Sequence, residues 1–403
     1  MLTPYDRNTF PYFQHRSHVV YLPSISVEAN SGGTNFPCVE GVSTADESCR
    51  RSPVSRMHER ENFNLQRNAR MRTTIYLATA GGLAVIQGCD ESWVGEVCLN
   101  DKQIQCVAAD RTRKGVVYCG TFGNGMLRSS DRGATWHPLQ NFTEPNVMAL
   151  ASSQSGALYA GTELSAMYRS ENGGESWCEL ETLLTLPSAK SWSFPPRPET
   201  HHVQFILPDL AHTARLHVAI EAGALVYSDD AGSTWCDRVS SAPRDTHCLA
   251  VHPLDPIRLH SAAGDGYFES ADDGNSWRRV VDGLEHQYCW SVAISLANSK
   301  TLLLSTSKSA YGAHYKESAN SIIYRRAGSD AWKPVRKGLP DPQGLRIPVV
   351  AASSSEPGVF YCSTEGMVYR SEDDGLQWQK LAVQWNTNAT AEHATGMAIV
   401  EEG

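Results

Sequence analysis

Seven tryptophans constrain this chain more than any other feature. Trp93, Trp136, Trp177, Trp235, Trp277, Trp332 and Trp378 fall at intervals of 43, 41, 58, 42, 55 and 46 residues. Five of them close one octapeptide: Ser, x, Asp or Asn, x, Gly, x, x, Trp. It reads Ser129-Ser130-Asp131-Arg132-Gly133-Ala134-Thr135-Trp136 and recurs at Ser170–Trp177, Ser228–Trp235, Ser270–Trp277 and Ser371–Trp378. A period of roughly 40–50 residues marks a repeat architecture, in which a unit that cannot bury its own apolar face stacks on its neighbours. Residues that recur in every unit therefore build the scaffold.

Each period holds four short runs rich in Val, Ile, Tyr or Cys. In the second repeat they are Gln103–Ala109, Val116–Gly120, Gly125–Ser129 and Thr135–Leu139. Gly, Asp, Asn and Ser separate them, the pattern of antiparallel strands joined by tight turns. Four-stranded units repeated about an axis make a β-propeller. With strands lettered A (innermost) to D, the B strands align as Ile75–Ala78, Val117–Gly120, Leu158–Gly161, Leu216–Ile220, Leu259–Ala262, Leu302–Ser305 and Val359–Cys362. The first repeat lacks an A strand, and the chain ends on an unassigned strand at 395–400. The sequence thus predicts an all-β, seven-bladed propeller over 72–403, closed when the C-terminal strand completes blade one. Residues 1–71 lack apolar patterning and read as a disordered, dispensable tail or a mis-assigned start, with Met57 or Met71 as the alternative first residue.

The octapeptide sits between strands C and D. Asp131 can accept turn N–H groups, Gly133 supplies a positive φ, and Thr135 can bond back. Trp136 then buries its ring between blades. Blade one keeps only Glu91-Ser92-Trp93, and blade six keeps Gly328-Ser329-Asp330-Ala331-Trp332. A carboxylate repeated around a ring reads as structural, so Asp131, Asn172, Asp230, Asp272 and Asp373 are assigned to the turns rather than to catalysis or calcium.

This motif resembles the Asp-box, or bacterial neuraminidase repeat, found in sialidases, sortilin-type receptors, reelin-like proteins, cellulose-active glycosidases and a plant photosystem assembly factor. The resemblance covers about five-sixths of the chain. With the Trp-Ser-Phe-Pro-Pro-Arg-Pro run at Trp192–Pro198, the pattern looks most like bacterial intracellular proteins labelled only as Asp-box or WD-type repeat proteins. That resemblance implies a propeller and no settled activity.

Composition narrows the partners. A net charge of −9 argues against nucleic-acid or anionic-membrane binding. The charge is uneven: residues 1–72 carry nine Arg and seven acids, leaving 26 basic and 37 acidic residues beyond them. No stretch approaches the ~18 apolar residues of a membrane span. Eleven cysteines, scattered singly and often inside apolar runs (Cys106, Cys119, Cys248, Cys289, Cys362), suit buried thiols in a reducing, cytoplasmic setting. The Asn-x-Ser/Thr triplets at Asn141 and Asn388 carry no weight there. A monomer is expected.

Propeller geometry places the D–A and B–C loops on one face, at the mouth of the central channel. Two insertions fall there: the D–A connection Leu183–His202 and the B–C loop Thr306–Asn320 of blade six. Loops of about 15–20 residues in a compact domain are usually functional. The expected ligand-binding rim is Trp192, Arg197, His201, His202, His247, His286, Tyr288, His314, Glu317 and Arg346, lining the principal pocket. His393 adds a sixth rim histidine.

Three readings follow. A ligand-binding or scaffold propeller would take a small polar molecule, a carbohydrate or a protein partner at this rim. A glycoside hydrolase would use two carboxylates from Asp245, Glu285 and Glu317, set about 5–10 Å apart across the sugar. A metal-dependent, lactonase-like hydrolase would gather a divalent metal on His201, His202, His247 and His286. Sialidase chemistry in particular needs an arginine triad. Arg346-Ile347-Pro348 has the right local motif but stands in the last blade, with Arg197 and Arg244 as partners and no Tyr–Glu pair in place.

Overall fold

The computed structural model describes residues 72–89, 92–386 and 389–402. The expected tail or alternative start, residue Asn388 and Glu91 lie outside the described residues. Seven antiparallel sheets form a ring, and the fold is a seven-bladed β-propeller. The A strands, in blade order, are Ala394–Glu402, Gln103–Ala109, Val147–Ser152, Val203–Pro208, Thr246–His252, Tyr288–Ile294 and Val349–Ala352. Each packs on the next, and Val349–Ala352 packs on Ala394–Glu402, which closes the circle.

The closure is the one the missing strand required. Ala394–Glu402 pairs antiparallel with Arg72–Thr79, placing Ile399 opposite Ile75 and Glu402 opposite Arg72. Glu401 locks this strand to blade seven. Its carboxylate accepts from Ser353 Oγ, Ser354 N and Oγ, and Ser355 N and Oγ, at 2.6–2.9 Å.

The apolar core divides into seven clusters, one per seam between neighbouring blades. Each holds one repeat tryptophan: Trp93 between blades seven and one, Trp136 between one and two, and so on to Trp378 between six and seven. The turn behind each ring explains its position. Ser129 Oγ donates to Asp131 Oδ1 (2.8 Å) and accepts from Gly133 N (2.7 Å). Asp131 accepts from Thr135 N (2.8 Å) and Thr135 Oγ1 (2.5 Å), and Trp136 Nε1 donates to Gly133 O (3.0 Å). Gly133 sits at φ +90°, where a Cβ would also meet the Tyr76 ring of blade one at 3.0 Å. Asn172, Asp230, Asp272 and Asp373 make the equivalent bonds.

Two blades depart from four full strands. Blade one gains a fifth, Val383–Trp385, running parallel to its outer strand Ser92–Cys98. Gly95 permits this approach, since a Cβ there would lie 2.7 Å from Val383 and 2.9 Å from Trp385. In blade four the outer strand shrinks to a single bridge, Tyr227 with Cys236. The loop beyond it is tied by Arg238, whose guanidinium donates to Ala242 O at 2.6 Å.

Candidate functional site

Antiparallel pairing puts the start of each A strand beside the end of its B strand, so A-strand starts and B–C turns share one mouth. In blades three and four the long connection is not an open loop. It folds into two 3₁₀ turns, Glu181–Thr185 and Pro187–Ser191, which tuck Leu183, Leu186 and Trp192 into the seam. A tight turn then presents Arg197, with Phe194 bridged to Arg197. Its guanidinium grips both oxygens of Glu163 at 2.6 and 2.5 Å. The rings of Phe122 and Phe194 lie 5.8 and 5.4 Å from the charge. His202, fully buried, reaches Gln204 Oε1 at 3.0 Å, and burial pushes its imidazole down to about 4. His201 accepts from Ser165 N at 3.3 Å, and burial pushes its pKa down as well.

The densest group lies between blades four and five. His247 Nδ1 donates to Cys289 O at 2.6 Å, which turns Nε2 toward Asp245 Oδ2 (3.6 Å) and Glu221 Oε1 (3.7 Å). Burial alone would neutralise this ring, but the two carboxylates outweigh it and hold its pKa well above the usual histidine value. Asp245 also accepts from Ala222 N at 2.7 Å. Burial opposes its ionisation, yet His247 carries it below the ordinary carboxylate range. Glu221 is pushed up by burial and by the neighbouring Asp245.

Blade six supplies an aromatic wall. His247 lies 5.1 Å from the ring of Tyr288 and 4.8 Å from that of Trp290. The blade-six insertion forms a short helix, Ala310–His314, capped by Ser309. It sets His314 Nε2 3.3 Å from the Tyr288 hydroxyl and its ring 4.8 Å from Trp290. Trp290 Nε1 in turn donates to Thr395 O of the closing strand (3.3 Å).

Of the rim residues expected from sequence, the structure brings together Arg197, His202, Asp245, His247, Tyr288 and His314. Trp192 is buried in the seam and meets His201 edge-on, 5.9 Å ring to ring. Arg346 is apart in blade seven, where it chelates Glu365 at 2.6–3.3 Å. His393 is buried near that pair. Glu285 and Glu317 are exposed, whereas Asp245 is paired with His247. His286 is buried beside Glu285 and Lys308.

The four candidate metal histidines therefore do not converge. Among the described residues, the groups with metal-ligand spacing each hold one imidazole and two carboxylates. One is Glu221, Asp245 and His247, whose ligand atoms lie within 4.8 Å of one another. The other, Asp209, His217 and Asp273, lies on the opposite face, and Arg215 already binds its Asp273.

The axial cavity does not coincide with the expected rim pocket. The axial cavity, about 40 Å³, is walled by the A strands of blades five, six, seven and one, and none of the ten expected rim residues lines it. It reaches His252, Leu296 and Ser353 at the far ends of those strands, toward the octapeptide turns.

Sequence reasoning missed Glu163, Glu221, Glu365 and Trp290. The first three carried a signal: each directly follows a B strand, as Thr162-Glu163, Ile220-Glu221 and Thr364-Glu365. The repeat alignment alone puts all three on the mouth face. Trp290 carried none, since an apolar residue inside an A strand reads as core.

No protein-family model matches this chain, and no curated protein matches it. Its fold is similar to that of a GH74 enzyme from Niastella koreensis, with a TM-score of 0.58 at 16% identity over 80% of this chain and 52% of that one. An ancestral GH74 enzyme gives a TM-score of 0.55 at 19% identity, over 76% of this chain and 40% of that one. YCF48 bound to D1 peptide gives a TM-score of 0.50 at 16% identity, covering 69% of this chain and 80% of that one. The chain spans about half the length of the GH74 enzymes or less. These likenesses show a shared propeller fold.

Proposed function

We propose that the protein is a non-catalytic binding propeller whose channel mouth takes a polar, positively charged segment of a protein partner. One observation carries this: the mouth's ionisable groups are already committed to one another. Arg197 is held by Glu163, Arg346 by Glu365, and His247 stands between Asp245 and Glu221. With His247 protonated, the last group keeps one net negative charge beside the rings of Tyr288 and Trp290, a setting that favours a single cation. The peptide carried by YCF48 supports a peptide ligand for such a scaffold.

A glycoside hydrolase is the second reading. Its support is the opposed shift of two neighbouring carboxyls, Glu221 up and Asp245 down, which suits an acid and a base. Their oxygens lie within 4.8 Å of one another, with an imidazole between, which is tight for a sugar. The two readings separate on one comparison. Peptide display against the full chain should enrich Lys- or Arg-bearing sequences, and Glu221→Gln with Asp245→Asn should weaken their binding about tenfold or more. Turnover of aryl glycosides or glucan oligosaccharides, abolished by Asp245→Asn, would overturn the binding reading.

A further inference from the structure

Blade six breaks the octapeptide repeat on the face opposite the mouth. In blade two, Ser129 pairs with Val117 and six residues, 130–135, lead to the tryptophan. In blade six, Ala327 takes that register opposite Thr301, and only four residues, 328–331, lead to Trp332. The shortened turn has lost the serine and the aspartate that organise the others. Beside it, across the seam to blade seven, lies a groove of about 330 Å³.

The groove is lined by Arg325, Lys333, Arg336 and Lys337 against a single acid, Asp330. Many arginines elsewhere are paired with carboxylates, among them Arg128 with Glu175, Arg215 with Asp229 and Asp273, Arg278 with Glu269, and Arg370 with Glu356. Among the described residues, none of the four groove cations has a carboxylate within ion-pair distance. Arg325 is instead oriented by a bond from Nε to Asp374 O at 2.7 Å, and the other three are exposed. A chain of net charge −9 thus concentrates uncompensated positive charge at a concave site. Leu376, 56% exposed, forms an apolar shelf at its edge with Pro334.

We infer that this groove docks an acidic, extended segment of a partner protein, its carboxylates on Lys333, Arg336 and Lys337 and an aliphatic side chain on Leu376. The apolar lining is aliphatic, without the aromatic platforms that single-stranded nucleic acid uses for stacking. The chain's own residues 1–72 carry more arginines than acids, nine against seven, so their charge does not match.

The test uses the full chain and a fluorescein-labelled peptide of alternating Glu and Leu, read by anisotropy. Binding is expected at about 50 mM salt and should weaken about tenfold by 300 mM, as for a multi-charge contact. The triple reversal Lys333→Glu, Arg336→Glu, Lys337→Glu should abolish it, and Leu376→Ser should weaken it a few-fold at both salts. These side chains are exposed, so an unchanged melting curve will separate lost binding from lost folding. Glu221→Gln with Asp245→Asn should leave it intact, so the groove stands or falls apart from the mouth. Failure to bind at low salt, binding indifferent to the triple reversal, or tighter binding of oligo-dT would overturn the inference. So would salt-sensitive self-association lost in the triple variant, which would make the occupant a second copy.

Discussion

Asp131 shows how a single side chain can be repeated without being catalytic. Its two oxygens are spent on Thr135 and Ser129 within one turn, and the indole it helps place fills the seam with blade one. Bonds from Thr135, first its hydroxyl and then its N–H, hold the carboxyl down to about 2. Asp131→Ala should cost about 1–2 kcal/mol through these lost bonds, with ligand binding unchanged. The sign of the pH dependence follows from the depressed value: the carboxylate's contribution is present above the unfolded pKa of about 4 and is lost as pH falls toward 2. Urea titrations of the two proteins should therefore diverge at pH 7 and converge near pH 2. Lost ligand binding in a folded Asp131→Ala protein would count against the structural assignment.

At the scale of elements, the C-terminal strand decides whether the ring exists. Ala394–Glu402 supplies blade one's inner strand, buries Met397 and Ile399 in the seam with blade seven, and inserts Glu401 among three serines. Removing residues 391–403 should cost several kcal/mol, since an entire core strand returns to water. The strand Val383–Trp385 would stay paired on the outer edge but cannot substitute, because it lies on the far side of the blade. A truncated protein that melts with the parent would refute this closure.

For the whole molecule, seven seams joined in a circle make every blade depend on two neighbours. An open array of repeats can unfold piecemeal, because each unit touches only the next along the chain. The closed ring should instead unfold in one step, with tryptophan fluorescence and far-ultraviolet circular dichroism giving coincident denaturant curves. In the 391–403 deletion those two curves should separate. A parent protein whose probes already disagree would show that the seams do not couple the blades.

Local pattern was enough for the scaffold. The tryptophan period, the octapeptide and the surplus terminal strand were legible because each turn satisfies itself within eight residues and each strand declares itself by short-range alternation. The mouth was half legible: Asp245, His247 and Tyr288 were placed by register and His314 by the length of its loop, and Glu221 could have been placed by register too. What only the tertiary structure decided was pairing. That His247 falls between Glu221 and Asp245, and that Arg197 is spent on Glu163, depend on how neighbouring blades are turned toward one axis. Spacing along a chain orders residues around a ring, but it carries no information on which side chains, once there, are close enough to neutralise each other.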